Sequence, residues 1–506
     1  MAIDIASGAS FDVVIVGGGS AGAVLANRLS ADPGRRVLLL EAGKAYAPAQ
    51  YPDVIANANR VGGDASHDWG YHTQDHSVLG HDVTALRGKV LGGSSGINAA
   101  VAMRARPSDF ARWTTHGLDG WSFTDVLPIY KAMENTPDGD DAWHGRSGPF
   151  PIRQRTMEEN TPSMRAFVHA AEACGLPRVA DFNGADQHGV SPYTLNVVDG
   201  RRINTGMAYL TDEVRRRPNL AIMSEAEVDR VIFDGRRATG VRLVSGDTIA
   251  AGRVILSAGA YGSPAILMRS GIGPASHLEE LGIPVVVDAP VGERLKEHPF
   301  YYNVYALKPE VRSMTPVAGA IIWTRSSEAA ADELDLHISA THIFDPAQSP
   351  TGGAIVLACS VTLPKSAGSI RLASRDPRAM PLIRFNFFKE KSDLRRMMEA
   401  VNLSRRIGTS APFSDMIASE IAPGRGIVDD AALEKAVIAS VDGYSHPTSS
   451  VPMGGHGDPG AVVDGTGAVR GVDGLNVVDA SIMPDIISAP TNVTTIMIAE
   501  AISRKL

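Results

Sequence analysis

Cysteine is almost absent from this chain, which has only Cys174 and Cys359 among its 506 residues. Two thiols cannot build a disulfide framework for a chain of this length, and they lie too far apart in sequence for a local metal site. Excess positive charge is lacking as well, because 48 lysines and arginines face 56 acidic residues, giving a net charge of -8. A nucleic-acid partner requires a positive surface, so the composition disfavours one.

Long apolar runs, repeats and low-complexity segments are lacking too. No stretch reaches the length of about 20 apolar residues that a membrane-spanning helix needs. Residues 1–10 contain no basic residue, which argues against a secretory signal peptide. We therefore expect no membrane span, a cytoplasmic location and a chain folded throughout, and the length favours two domains. The sequence does not indicate an oligomeric state.

The first informative segment combines a strand, a glycine-rich turn and a helix. Residues 11–16 form a β-branched run typical of a buried parallel strand, and Gly17, Gly19 and Gly22 follow before a helix to about Ser30. Such glycines allow a tight turn and close approach to a pyrophosphate, and the helix N-terminus supplies positive partial charge. A second strand ends in Glu41, at the distance expected for an acid that binds a ribose diol. This order predicts a bound dinucleotide but leaves NAD and FAD open.

Two later glycine-rich segments, residues 87–98 and 259–274, supply backbone N–H groups and hydroxyls suited to phosphate or flavin polar atoms. Together they resemble the two signature motifs of the glucose-methanol-choline (GMC) oxidoreductases, FAD-dependent enzymes that take hydride from alcohols. The resemblance continues along nearly the whole chain. It includes His144-Gly145, Gly292-Glu293-Arg294-Leu295 with His298, His446-Pro447, Val478-Asp479-Ala480-Ser481 and Asn492.

The resemblance implies an α/β (α+β overall) fold. It consists of a Rossmann-like FAD-binding domain and an interleaved substrate domain built on an antiparallel β-sheet. We place the FAD-binding domain at residues 1–155, 221–295 and 455–506, and the substrate-binding domain at 156–220 and 296–454. The alternation of residues 334–339 predicts a half-buried strand of that sheet, with one face free to line a pocket.

The resemblance also implies a set of cofactor contacts. In it, Glu41 binds the adenosine ribose and the Val228 backbone contacts adenine. Some members tether the flavin through a histidine at the position of Ile97, and isoleucine has no nucleophilic atom, so we expect FAD to be held non-covalently. The implied cofactor-binding residues are Gly17, Gly19, Ser20, Ala21, Gly22, Glu41, Ala42, Trp69, Arg87, Gly92, Gly93, Ser94, Asn98, Ala100, Val101, Val228, Ala258, Asp479, Ala480, Asn492 and Val493.

By the same resemblance, His446 is the catalytic base that takes the hydroxyl proton while hydride moves to flavin N5. Imidazole suits this task because its ordinary pKa of about 6.5 lies near neutral pH. Asn492 matches the family's second catalytic position, where an amide can orient the hydroxyl but cannot titrate. No metal is expected, because the spacing of His67, His72, His76 and His81 follows no common ligand pattern and a loop or lid is the simpler interpretation.

The substrate is the least determined part of this interpretation. Ser449, Ser450, Pro452 and Arg294 depart from the family pattern, and the first three could reshape the pocket floor. Similarity to short bacterial members, notably at residues 103–110 and 199–202, favours a primary alcohol on an aromatic or heteroaromatic ring. The alternatives are choline or another aliphatic alcohol, a hydroxynitrile-lyase-like reaction, an NAD-dependent dehydrogenase, and a flavin-binding or light-driven protein without alcohol chemistry. Oxygen and another electron acceptor both remain open.

Overall fold

The computed structural model describes residues 10–74 and 78–506. Its α-helices are α1 (Ser20–Leu29), α2 (Asp53–Ala56), α3 (Pro107–Thr114), α4 (Phe123–Met133), α5 (Pro162–Ala173), α6 (Thr205–Ala208), α7 (Asp212–Arg215), α8 (Gly259–Arg269), α9 (Ala275–Glu280), α10 (Lys391–Gly408), α11 (Asp430–Ser440) and α12 (Thr491–Ser503). Short 3-10 helices lie at Gly93–Gly96, Pro309–Val311, Pro346–Gln348, Ser414–Met416 and Ala480–Ile482.

The strands are β1 (Ser10–Val16), β2 (Val37–Leu40), β3 (Glu134–Asn135), β4 (Phe150–Pro151), β5 (Arg153–Gln154), β6 (Gly189–Pro192), β7 (Thr194–Leu195), β8 (Val197–Val198), β9 (Arg201–Arg202), β10 (Leu220–Met223), β11 (Val228–Asp234), β12 (Arg237–Leu243), β13 (Thr248–Leu256), β14 (Ile272–Gly273), β15 (Val287–Asp288), β16 (Pro299–Leu307), β17 (Ala318–Thr324), β18 (Leu336–Thr341), β19 (Ala354–Val361), β20 (Ser369–Arg371), β21 (Leu382–Arg384), β22 (Ile417–Ala422), β23 (Asp442–Gly443) and β24 (Leu475–Val477). They combine into two larger sheets and several short pairs.

The first large sheet is mixed, with the strand order β10-β2-β1-β13-β12-β11 and with β24 paired to β13. The pairs β10-β2, β2-β1, β1-β13 and β13-β24 are parallel, whereas the pairs β11-β12 and β12-β13 are antiparallel. All four side chains of β2 are buried, as expected for a parallel strand covered on both faces. Helices α1 and α12 pack against each other beside this sheet, which brings chain from both ends of the sequence together.

The second large sheet is antiparallel, with the order β22-β16-β19-β18-β17-β6 and with β23 paired to β16. Helices α5 and α10 contact its central strands. Phe300 and Tyr302 of β16 point instead towards a deep cavity that also borders the first sheet. The sheet therefore packs on helices at one face and closes the cavity with the other. The fold class expected from the sequence is confirmed by its likeness to solved structures, reported below.

The strand predicted from residues 334–339 exists as β18, but the prediction that it is half-buried is wrong. All six of its residues are buried, and none lines the cavity. One face is covered by α10, and on the other face Ser339 Oγ lies 3.1 Å from the hydroxyl of Tyr444. The alternating pattern indicates a strand, but it carries no information on this second cover.

The predicted domain boundaries remain a prediction. The first sheet draws its strands from residues 10–16, 37–40, 220–256 and 475–477, and the second from residues 189–192, 299–361, 417–422 and 442–443. Within the described residues, no helix is both long and apolar enough to span a bilayer. Both cysteines are free; Cys359 is buried and Cys174 is half-buried.

Candidate active site

A cavity of about 740 Å³ lies where the two large sheets meet. The glycine-rich turn after β1 lines one end, and β16 with the segment after β23 lines the other. A single continuous space thus joins the predicted nucleotide site to the predicted catalytic histidine. Of the predicted site residues, those that line the cavity are Gly17, Gly19, Ser20, Ala21, Glu41, Ala42, Trp69, Arg87, Gly93, Ser94, Asn98, Val101, Val228, Ala258, His446, Asp479, Ala480 and Asn492.

The glycine-rich turn has the close packing that the sequence predicts. Gly17 has φ +98°, and a Cβ on Gly22 would lie 1.9 Å from the Gly17 carbonyl oxygen. A side chain at Gly22 would therefore separate α1 from the end of β1. Helix α1 begins at Ser20 after an N-cap glycine, and no side chain caps its first turn. An uncapped helix N-terminus that opens into a cavity suits a phosphate group.

Glu41 follows β2 and lies beneath the same turn. Its Oε2 accepts a hydrogen bond from Gly18 N and its Oε1 accepts one from Gly43 N, both at 2.8 Å. Burial raises the pKa of Glu41 to about 7, although these N–H groups and Lys89 oppose the rise. Each oxygen keeps a further lone pair, so the carboxylate can still accept from a ribose hydroxyl while it holds the turn in place.

The wall opposite α1 is formed by residues 87–101. A Cβ on Gly93 would lie 2.7 Å from Gly19 Cα, so the backbones of the two glycine segments come too close together for a side chain at Gly93. Ser94 Oγ accepts from Gly88 N at 3.1 Å, and Asn98 Oδ1 accepts from Ala100 N at 2.9 Å. Ile97 contributes an apolar surface to the cavity.

Asp479 lies at the end of the segment that follows β24. Its Oδ2 accepts from Gly259 N at 2.9 Å and from Ser263 Oγ at 2.6 Å, and its Oδ1 accepts from Ser481 N at 2.8 Å. The carboxylate thus ties the start of α8 to the chain near the C-terminus. Burial raises the pKa of Asp479, although these three hydrogen bonds oppose the rise.

His446 lies at the far end of the cavity, in the segment after β23. Its backbone N–H donates to Glu297 Oε1 at 2.7 Å, and the same oxygen accepts from His298 N at 2.8 Å. Its ring Nδ1 lies 3.0 Å from Nδ1 of His298, with the two rings perpendicular. Arg87 donates from Nη2 to the carbonyl of Ser445, which fixes the chain on the other side of His446.

The environment keeps His446 neutral. Burial, followed by the neighbouring His298, Arg87 and His337, lowers the pKa of His446 well below its ordinary value. Burial also lowers the pKa of His298 to about 4. A neutral imidazole has one ring nitrogen with a free lone pair, which is the form that a general base requires.

Asn492 lies in the first turn of α12, and its Oδ1 accepts from Ser20 Oγ at 2.7 Å. Its Nδ2 is buried and has no hydrogen-bond partner among the described residues. A buried amide donor without a partner is costly, so an acceptor belonging to a ligand fits this position. The contact with Ser20 places Asn492 beside the nucleotide-binding turn.

Aromatic rings surround the cavity near His446. The Tyr444 ring stacks on Phe300 with centroids 3.9 Å apart, and it lies 4.3 Å from the His446 ring. Tyr302 packs against Phe300 with centroids 5.1 Å apart. Asp442 also lines this end, and burial raises its pKa. A flat apolar surface with a few polar groups therefore faces the imidazole.

Four predicted residues, Gly22, Gly92, Ala100 and Val493, do not line the cavity and shape it from behind. Ser449, Ser450 and Pro452 do not line it either; Ser450 Oγ donates instead to the carbonyl of Ala260 at 2.7 Å. Three residues of the site, Glu297, His298 and Tyr444, were not predicted from the sequence. Two signals in the sequence could have indicated them. Tyr444 stands two residues before His446, and His298 follows shortly after the glycine turn at Gly292.

The described parts of the histidine-containing segment, residues 67–74 and 78–81, are loop with isolated bridges at Asp68 and His72. His67 is buried, with Nδ1 2.7 Å from Asp64 Oδ1 and Nε2 2.9 Å from the hydroxyl of Tyr46. His76 lies outside the described residues. Within the part of the chain that is described, no group of three or more His, Cys, Asp or Glu side chains is arranged to hold a metal ion.

Several known proteins are similar to this chain in sequence and architecture. Residues 11–300 match the N-terminal model and residues 364–499 the C-terminal model of the family described as GMC oxidoreductase. An oxygen-dependent choline dehydrogenase of Pseudomonas putida is 36% identical over 98% of this chain and 94% of its own length. The crystal structure of pyridoxine 4-oxidase from Mesorbium loti superimposes with a TM-score of 0.90, at 34% identity, over 98% of this chain and 99% of that one. A formate oxidase from Aspergillus oryzae, 24% identical with a TM-score of 0.90 over 98% of each chain, shares the fold.

Proposed function

The chain belongs to the GMC oxidoreductase family and is an FAD-dependent oxidoreductase, and on that premise we propose that it oxidises a primary alcohol on an aromatic or heteroaromatic ring. The observation that carries this proposal is the neutral imidazole of His446 at an aromatic end of the cavity that begins at the nucleotide-binding turn. The cytoplasmic location expected from the sequence is part of the proposal.

The residues present fit FAD. The uncapped N-terminus of α1 and the crowded glycines suit its pyrophosphate, and Glu41 retains acceptor capacity for its adenosine ribose. The unpartnered Nδ2 of Asn492 supplies a donor. Ser20 holds the Oδ1 of Asn492, which leaves Nδ2 able to donate to the cofactor or, as the family resemblance predicts, to orient the substrate hydroxyl. Ile97 offers no atom for a covalent tether, so the cofactor is held non-covalently.

His446 moves the proton in the proposed reaction. The alcohol loses two electrons and two hydrogens to become an aldehyde, one hydrogen as a proton and one as a hydride. The chemistry that FAD supplies when bound is acceptance of the hydride. The proton passes from the hydroxyl to the ring nitrogen of His446 that carries the lone pair.

The aromatic preference rests on the rings of Phe300, Tyr302 and Tyr444. Their contacts with one another build an aromatic wall beside His446, where an aromatic alcohol can pack and direct its hydroxymethyl group to the imidazole. A second candidate is an alcohol with a cationic nitrogen. Asp442 beside these rings favours it, because a carboxylate and aromatic faces both attract a cation, and a curated relative is a choline dehydrogenase.

The test is anaerobic reduction of the bound flavin by a panel of alcohols, monitored as the loss of flavin absorbance in a stopped-flow instrument. Benzylic and pyridine-ring alcohols should bleach the flavin faster than simple aliphatic alcohols, with choline as the second candidate. If no alcohol bleaches it, the oxidoreductase proposal on alcohols fails. Air is then admitted: return of the colour with hydrogen peroxide identifies oxygen as the acceptor, and persistent bleaching identifies another acceptor.

The role of His446 is tested by His446→Ala. We expect flavin reduction to slow by about 100-fold or more, because the general base is lost, while the FAD content stays that of the wild type. His169→Ala is the matched control, since His169 is exposed on the surface of α5, where its ring pairs with Glu172. Undiminished reduction in His446→Ala would remove this residue from its role.

A further inference from the structure

The contact between His446 and His298 contains information on where the protons lie. Nε2 of His298 is 3.0 Å from the carbonyl oxygen of Ile487, and Nδ1 of His298 is 3.0 Å from Nδ1 of His446. A carbonyl oxygen only accepts hydrogen bonds, so Nε2 of His298 carries a proton and donates. His298 is wholly buried just before β16, and among the described residues its ring makes no hydrogen bond or ion pair with a carboxylate, so the imidazole stays neutral.

A neutral imidazole protonated at Nε2 has a lone pair at Nδ1. The hydrogen bond between the two histidines then needs its proton on Nδ1 of His446. Since His446 is neutral as well, its Nε2 is left with the lone pair. Within the described residues no hydrogen bond engages this Nε2, and His446 lines the cavity.

We propose that His298 is a positioning residue that fixes His446 in the Nδ1-protonated tautomer, with Nε2 as the atom that accepts the alcohol proton. The chain of donors runs from His446 through His298 to the carbonyl of Ile487 in the segment before α12. When His446 takes the proton on Nε2, its Nδ1–H remains bonded to His298, so the ring does not have to turn. This inference deepens the proposed function and rests on it for the identity of the proton donor.

Charged and titratable neighbours support the same tautomer. Glu297 approaches His446 and His298 through their backbone N–H groups, not through their rings. Burial raises the pKa of Glu297 to about 8, which weakens its charge at neutral pH. Arg87 reaches Ser445 and disfavours a second proton on His446, and His337, on β18, makes no hydrogen bond among the described residues. No side-chain acceptor therefore competes with His298 for Nδ1–H.

The direct test is nuclear magnetic resonance of ¹⁵N-histidine-labelled holoenzyme, with the His446 signal identified by its loss in His446→Asn. We expect the chemical shifts and couplings of a ring protonated at Nδ1 and bare at Nε2. A ring protonated at Nε2 would overturn the inference. This measurement does not depend on turnover, so a protein that shows the expected tautomer but oxidises no alcohol would contradict the proposed function alone.

A variant pair supplies the kinetic test. His298→Leu removes the acceptor, and we expect flavin reduction by substrate to slow about 100-fold, with FAD content and substrate Kd little changed. His298→Gln keeps an oxygen acceptor and an N–H donor and should restore most of the rate. His337→Phe is the matched control, since it removes a buried neighbouring imidazole that is not bonded to His446.

Two outcomes would contradict the positioning role. One is His298→Leu and His298→Gln losing rate equally, and the other is His298→Leu retaining the wild-type rate. If His298→Leu fails to fold, the labelled wild-type enzyme still decides the tautomer. In the double variant His298→Leu/His446→Ala, the loss should not exceed that of His446→Ala alone, because His298 acts only through His446.

Discussion

His342, at the end of β18, is a buried histidine that the proposed reaction does not use. Its Nδ1 lies 2.7 Å from the carbonyl oxygen of Ala354 and its Nε2 lies 3.0 Å from Thr161 Oγ1. The carbonyl can only accept, so Nδ1 donates and the threonine hydroxyl donates to Nε2. Burial lowers the pKa of His342 to about 4 although the bond to Ala354 opposes the fall.

This depressed pKa predicts a pH-dependent contribution to stability. The unfolded chain binds a proton at His342 below about pH 6.5, whereas the folded chain resists it until about pH 4. The contribution is therefore fully present above pH 6.5 and is lost as the pH falls through this window, up to about 1.4 kcal/mol per pH unit.

We expect the melting temperature of the wild type to fall more steeply than that of His342→Gln between pH 7 and pH 4.5, a range that covers most of this window. Comparing the two proteins cancels other buried groups, such as Glu41, whose pKa shifts upward. His169→Gln, at an exposed site, is the control and should follow the wild type. Parallel pH curves for wild type and His342→Gln would contradict the prediction.

Individual residues differ in how far the sequence predicts them. His446 could be predicted from the sequence because it stands in a motif, and the structure places it at the cavity. Its partners Glu297 and His298 could not be predicted. The contact of His298 with His446 joins residues 148 positions apart, and it depends on how β16 and β23 pair. Local patterns report a side chain's chemistry, whereas its protonation partner is decided by tertiary packing.

At the scale of elements, the junction of β1 and α1 is the tightest contact in the nucleotide site. A Cβ at Gly22 would meet the carbonyl oxygen of Gly17 at 1.9 Å, and backbone cannot yield as a flexible side chain can. Only a shift of α1 away from the sheet would relieve the clash. That shift would move the uncapped helix N-terminus away from a bound pyrophosphate.

Gly22→Ala should therefore lose FAD. We expect purified protein with little or no flavin absorbance and a lower melting temperature, since cofactor binding stabilises the folded state. Gly426→Ala is the matched control, because a Cβ there meets no atom within 4 Å and the residue is exposed. A Gly22→Ala protein with full flavin content would show that α1 can move without cost.

Elements with regular patterns were predicted well. Strand, glycine turn, helix and second strand occur as β1, the turn, α1 and β2, with bounds within a residue or two of the expected ones. The strand β18 was predicted correctly, but the prediction that one of its faces is free was wrong. Tyr444, from a segment about a hundred residues later, covers that face. Periodicity gives the type of an element, and the number of covered faces depends on the rest of the chain.

For the whole molecule, the cofactor should be removable. Ile97 lines the cavity with an apolar side chain, so nothing at that position can bond covalently to the flavin. Acid precipitation of the wild type should leave all flavin in the supernatant, and the apoprotein should melt at a lower temperature. At a free FAD concentration of 100 times Kd, the stabilisation amounts to about 2.7 kcal/mol.

The control for that experiment is readdition of FAD to apoprotein released under milder conditions. The absorbance and the melting temperature of the holoenzyme should return together. Flavin that stays with the precipitated chain would show a covalent link elsewhere and would contradict the prediction.

The interleaved architecture was predicted from the resemblance to a family, whereas the length of the chain alone indicated only that there are two domains. No linker or change in composition marks the places where the chain passes from one sheet to the other. Such crossings are set by strand pairing between distant segments, which the sequence does not display.

The pairing of β24 with β13 and of Ser20 with Asn492 has a consequence for biosynthesis. A ribosome makes the turn at residues 17–22 long before the segment from 475 to 503, so the nascent chain has no complete flavin pocket until that later segment has been made. We therefore expect stable flavin binding only after this segment has emerged. Products truncated before α12 should leave the ribosome colourless, which makes colour a readout of completed synthesis.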